Sequence, residues 1–95
     1  MVRFAWDSRK NATNKRKHEV SFEEARTVFY DDYAVRYFDP DHSHDEDRFL
    51  MLGIASSLRV LIVNHSYTEH DAVIRIISAR KATRREEETY WRGRS

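Results

Sequence analysis

The chain has no cysteine, which excludes disulfides, thiolate nucleophiles and Cys-ligated zinc, and a reducing compartment is the simplest setting for it. With only two glycines and one proline it has no flexible linker, no low-complexity tract and no glycine-rich phosphate cradle. Ser/His/Asp signatures of acyl transfer are missing as well. Nothing in it approaches the roughly 20 apolar residues that cross a bilayer. The first twenty residues also hold no apolar stretch of signal-peptide kind, so a soluble cytoplasmic protein with no membrane partner is expected.

What is present suits a folded protein: 40% hydrophobic, 13% aromatic and 35% charged residues. Ninety-five residues allow one domain, 1–95, so a functional site must share its elements with the only core. The net charge of +1 hides a segregation. Residues 1–18 carry six Lys/Arg against one acid (+5), residues 19–47 two against ten (−8), and residues 48–95 nine against five (+4). If the two basic segments meet in space they make a cationic face for phosphate, whereas the acidic middle repels nucleic acid or balances that face internally.

Arg3-Phe4-Ala5-Trp6 reads as a short strand, and Asp7 as the N-cap of a helix running to about His18. That helix is polar almost all round. Ala12 is its main apolar contact, which leaves Lys10, Asn11, Asn14, Lys17 and His18 to a partner or to water. Ser21-Phe22-Glu23-Glu24 fits a capping box with Val20 as staple, and Phe22, Ala25, Val28 and Phe29 give the second helix a core-facing stripe that stops near Asp31-Asp32. Strands are expected at 33–39, 48–55, 59–67 and 71–78, the last three as an antiparallel meander, with an acidic loop at 40–47. Alternation puts His65 with Leu61 and Val63, and Arg75 with Val73 and Ile77. Thr83-Arg84-Arg85-Glu86 is a second capping box, opening a helix to about Trp91 with Tyr90 one turn beyond Glu86. The expected class is α+β.

An ordered set of motifs spans residues 3–91: Phe4-Ala5-Trp6-Asp7, Lys10-Asn11, Asn14, Lys17-His18, Val20-Ser21-Phe22-Glu23-Glu24-Ala25, Val28-Phe29, Asp41-His42-Ser43, Glu46, Arg48-Phe49, Gly53 and Ile74-Arg75-Ile76-Ile77-Ser78-Ala79-Arg80-Lys81-Ala82, extended by Glu86 and Tyr90. Together they resemble the BrnT family of ribonuclease toxins from type II toxin–antitoxin pairs. The resemblance implies a RelE-like fold, a curved antiparallel sheet with helices to one side, two N-terminal and one C-terminal. It also implies metal-independent RNA cleavage, growth arrest, and neutralisation by a BrnA-like antitoxin of ribbon-helix-helix type that alone contacts operator DNA. The family places glycine after Lys-His where this chain has Glu19. Glycine would serve there as a left-handed C-cap, so glutamate carries a conformational penalty or ends the helix differently.

Cleaving RNA without a metal needs a base for the 2′-hydroxyl, cations for the phosphorane and an acid for the 5′-oxygen. Arg48, Arg75 and Arg80 are the candidate cations, because a guanidinium binds two phosphate oxygens and stays charged; otherwise they pair with the acidic middle. His65 is the candidate for proton transfer, with Glu46 a second if burial raises its pKa. Lys17, His18 and Tyr90 are candidates for substrate binding, though a helix C-terminus and a core position would also explain them. Thr83 and Glu86 read as capping residues. The run from Asp41 to Asp47 holds ligand-type side chains but matches no metal pattern, so no metal or cofactor is expected. A non-catalytic RNA- or protein-binding module with the same basic face is the competing reading, and a metal-binding regulator centred on His42 and His44 a more distant one.

Overall fold

The computed structural model describes residues 2–68, 70 and 72–94. In chain order its elements are β1 (Arg3–Ala5), α1 (Ser8–His18), α2 (Phe22–Arg26) continued by a 3₁₀ turn Thr27–Tyr30, β2 (Val35–Phe38), a 3₁₀ turn Pro40–His42, β3 (Phe49–Ile54), β4 (Val60–Thr68), β5 (Val73–Lys81) and α3 (Arg84–Arg94). Asp71, the expected start of the last strand, lies outside the described residues. The strands form one sheet in the order β1-β5-β4-β3-β2. Pairing from β2 to β5 is antiparallel, as short connections require. β1 runs parallel to β5 along Val73–Arg75, which makes the sheet mixed and corrects the expectation of a wholly antiparallel one.

α1 begins where Asp7 accepts hydrogen bonds from the amides of Arg9 and Lys10, at 2.7 and 3.2 Å. It ends where Glu19 takes φ 58°, ψ 31° and donates its amide to the Lys15 carbonyl, a left-handed C-cap built without glycine. Ala12, the expected anchor, is exposed. Asparagines hold the helix instead. Buried Asn14 donates to the carbonyls of Val20 and Ala79, both at 2.8 Å, and accepts the Ala79 amide at 3.0 Å. It therefore serves the edge of β5 beyond the reach of β1 much as another strand would. Asn11 accepts the Phe22 amide at 2.8 Å and donates to Glu23. Neither asparagine is left for a partner or for water, as the sequence suggested.

One face of the sheet is covered by α1, α2 and the 3₁₀ turn after it, around Val20, Phe22, Ala25, Val28, Leu61, Val63, Ile76 and Ala79. Gly53 permits a close approach on this side: a Cβ there would lie 2.8 Å from Val28 Cγ1 and 3.0 Å from Ala34 Cβ. α3 packs on the opposite face, where Tyr90 joins Leu52, Val60 and Ile62. Helices thus lie on both faces rather than on one, and α3 shields only the part of its face near Val60 and Ile62. Among the described residues no α-helix packs over the remainder, around Asn64, Ser66 and Ser78, although Ser66 is itself buried.

A bulge shapes that uncovered part. Asn64 pairs with Ser78 but His65 pairs with Ile76, so Ile77 is an extra residue in β5. It turns Ile76 into the first core and brings Arg75 onto the face of Ser78 and Arg80. Arg75 therefore does not share a regular row with Ile77.

Candidate functional site

The uncovered face holds a cavity of about 430 Å³ whose lining includes His18, Asp39, His42, Arg48, Asn64, Ser78 and Arg80. Its floor is the middle of β4 and β5. His18, at the end of α1, flanks it on the β5 side; Asp39, His42 and Arg48 flank it where β2 leads into β3. An open surface lined by Arg16, Lys17, His18, Arg80 and Lys81 adjoins the cavity through the two residues they share. The basic N-terminal segment and the basic C-terminal half do meet in space.

The arginines differ in how they are held. Both guanidinium nitrogens of Arg80 bind the two Glu86 oxygens, at 2.8 and 3.0 Å. The same carboxylate accepts the Thr83 amide at 2.8 Å while the Thr83 hydroxyl accepts the Glu86 amide at 3.2 Å, so the expected capping box forms and doubles as a seat for Arg80. That guanidinium, with the Thr83 amide adding to it, holds the Glu86 carboxyl down to about 2. Arg75 is bonded to Glu46, whose carboxylate is also 3.8 Å from Arg48 Nε. Glu46 is thus an ion-pair partner of Arg75, and Arg75 is paired with the acidic middle segment. Arg48 is half-buried, with Nε out of solvent and without a hydrogen bond; Asn64 Oδ1 and Ser66 Oγ on the same face are likewise unbonded.

Four expected site residues do not line the cavity: Arg75 and Glu46, which are paired with each other, and His65 and Tyr90, which are core residues. His65 points to the opposite face and is fully buried, edge-on to Phe29, with Nδ1 3.0 Å from the Val63 carbonyl and Nε2 3.2 Å from the Tyr67 hydroxyl. Burial pushes its pKa down to about 4, so it is a neutral core residue that cannot reach the cavity on the other face of the sheet. Tyr90 is also core, 1% exposed, with its hydroxyl bonded to Asp31 and within 3.2 Å of Arg94; no base can stack on it. Lys17 stands exposed on the open cationic surface and His18 is half-buried in the cavity.

The sequence reading missed Asp39, His42, Asn64 and Ser78 as lining residues. A signal existed for the first two: in Asp39-Pro40-Asp41-His42 a proline opens a 3₁₀ turn, which brings residues three apart onto one side. Among the described residues no three His, Cys, Asp or Glu side chains converge as a metal site would require. No described helix is long and apolar enough to cross a membrane.

Comparison with known proteins places this geometry in a family. The sequence matches no curated protein. The fold matches the crystal structure of the Brucella abortus ribonuclease toxin BrnT, with a TM-score of 0.64 and 21% identity over 88% of this chain and 100% of that one. Residues 6–86 match the family model for the ribonuclease toxin BrnT of type II toxin–antitoxin systems. The chain, an α+β protein with this fold and this family's sequence pattern across most of its length, belongs to the BrnT family of ribonuclease toxins.

Proposed function

We propose that this single-domain protein is a metal-independent endoribonuclease, acting in the cytoplasm on messenger RNA, and that a strand of RNA lies across the cavity between His18 and His42. The observation that carries this reading is the convergence of Arg48, just before β3, and Arg80, on β5, on one cavity, with Lys17, His18 and Lys81 on the adjoining surface. Guanidiniums of Arg48 and Arg80 take the phosphate oxygens, and Arg75 fixes Glu46 beside Arg48. The 2′-oxygen attacks phosphorus, the bond to the 5′-oxygen breaks, and a 2′,3′-cyclic phosphate and a 5′-hydroxyl result. A BrnA-like antitoxin of ribbon-helix-helix type covers the cationic face and meets operator DNA itself. Expression of the chain alone then arrests growth, and co-expression of that partner restores it.

Arg80 offers the sharpest test. Arg80→Ala should lower cleavage of single-stranded RNA by a factor on the order of 10²–10³, the scale of losing one preorganised donor to a transition state. Arg80→Lys should rescue poorly, because it keeps the charge and loses the planar fork. A variant that melts earlier yet cleaves normally per folded molecule would show that Arg80 serves only to seat Glu86. Wild-type protein that binds RNA without cutting it would favour the non-catalytic module.

A further inference from the structure

One imidazole in the cavity is held in a way that the cleavage chemistry needs. His42 Nδ1 lies 2.8 Å from Asp39 Oδ2, and the two side chains are 63% and 10% exposed. Asn64 Nδ2 donates to the same Asp39 oxygen at 3.3 Å from the floor of the cavity. The turn carrying the pair is pinned at its base. Asp39 donates its amide to the Arg48 carbonyl at 2.9 Å, and the Ser43 hydroxyl donates to the Asp39 carbonyl at 2.5 Å while accepting the Arg48 amide at 2.9 Å. An acidic segment that composition marks as a solvated loop is therefore fixed to Arg48, which lines the same cavity. Asp41, Arg48, Arg80 and His18 are the other charged or titratable groups lining the cavity.

We infer that His42 is the general base of the cleavage reaction and Asp39 its positioning residue, a role that rests on the ribonuclease reading of the cavity. A buried carboxylate on Nδ1 fixes the tautomer that carries its proton there and frees the Nε2 lone pair, the logic by which a buried aspartate orients a catalytic histidine in hydrolases. Nε2 takes the proton of the 2′-hydroxyl, the 2′-oxygen bonds to phosphorus, and the 5′-oxygen departs and takes a proton from water. Asp39 keeps its hydrogen bond to Nδ1 and steadies the imidazolium. Arg48 and Arg80 hold the charge that develops on the phosphate in between.

The test uses full-length protein, a cleavable RNA oligonucleotide, and its 2′-deoxy analogue as an uncleavable binding probe. His42→Ala should lower kcat by a factor on the order of 10²–10⁴, the span of a general base, while affinity for the 2′-deoxy probe changes less than about twofold. Added imidazole should restore part of the rate to His42→Ala and none to Arg80→Ala. Asp39→Asn, checked for folding by its melting temperature, should lower kcat with little change in KM and without rescue by imidazole. Normal cleavage by His42→Ala beside impaired cleavage by Arg80→Ala would remove His42 and leave the cavity reading standing. A wild-type protein that cleaves nothing would overturn both.

Discussion

Burial holds the His65 imidazole at a pKa of about 4, against an opposing hydrogen bond from its Nδ1 to the Val63 carbonyl and with help from the charge of Arg36. In the unfolded chain the same group titrates near 6.5, so between these values the folded state binds fewer protons than the unfolded one. The stability that neutral His65 contributes is complete above pH ~6.5 and is lost as pH falls toward 4. Of a total on the order of 3 kcal/mol, roughly 2 is gone by pH 5. Glu24, Glu86 and Asp31, all held below their ordinary values, lose their own contributions only lower, from the normal carboxylate range down. Melting between pH 7 and 5 should therefore fall by on the order of 10 °C, and His65→Gln should flatten that slope; parallel slopes in the two proteins would discharge His65. Its partners on β4, Leu61 and Val63, were legible from alternation. Which face is sealed was not, because Val60 and Ile62 make the other face of the same strand equally apolar, and only α3 and the helices opposite it decide.

At the scale of elements, Glu19 is where local chemistry and the observed conformation disagree most. Its φ of 58° ends α1, and a side chain in that region costs about 1 kcal/mol relative to glycine. The structure supplies partial compensation: Lys81 Nζ lies 3.5 Å from the Glu19 carboxylate, and Arg59 donates to its carbonyl at 2.9 Å. Glu19→Gly keeps the second contact and should raise the melting temperature by a few degrees with cleavage unchanged; differential scanning calorimetry that finds no rise would mean the Lys81 contact offsets the strain in full. The caps at Asp7, Ser21 and Thr83 could be read from the sequence because each uses a side chain within three residues of its target. Even so, the Ser21 box closes only one way, since Glu24 turns to Arg59 and Ser57. Long-range devices were not legible. Asn14 acts across 65 residues on Ala79, and the extra residue Ile77 puts Arg75 and Arg80 on one face when strict alternation separates positions five apart. That single bulge is what puts the Arg75–Glu46 pair on the same face as Arg80.

For the molecule as a whole, the segregated charge resolves both ways. Part of the acidic middle is spent on internal pairs, Glu24 with Arg59 and Glu46 with Arg75. Five other cations meet at the cavity and the surface beside it: Arg16 and Lys17 from α1, Arg80 and Lys81 from the end of β5, and Arg48 inside the cavity. A single strand of RNA bound there releases about 0.7 of a counterion for each phosphate neutralised. Five such cations set an upper limit near −3.5 for the slope of log affinity against log salt. Glu86 on Arg80, Glu19 on Lys81 and Glu46 near Arg48 compete for three of them, so the slope should fall between about −1.4 and −3.5. Lys17 is exposed, and Lys17→Gln should weaken binding of single-stranded RNA alike for all sequences and reduce the slope by about 0.7 with no loss of melting temperature. Titrations of the 2′-deoxy probe between 50 and 300 mM salt would measure this. Affinity indifferent to salt, or a slope that Lys17→Gln leaves unchanged, would mean that the strand does not follow the α1–β5 surface and that the cavity is entered from the β2 side.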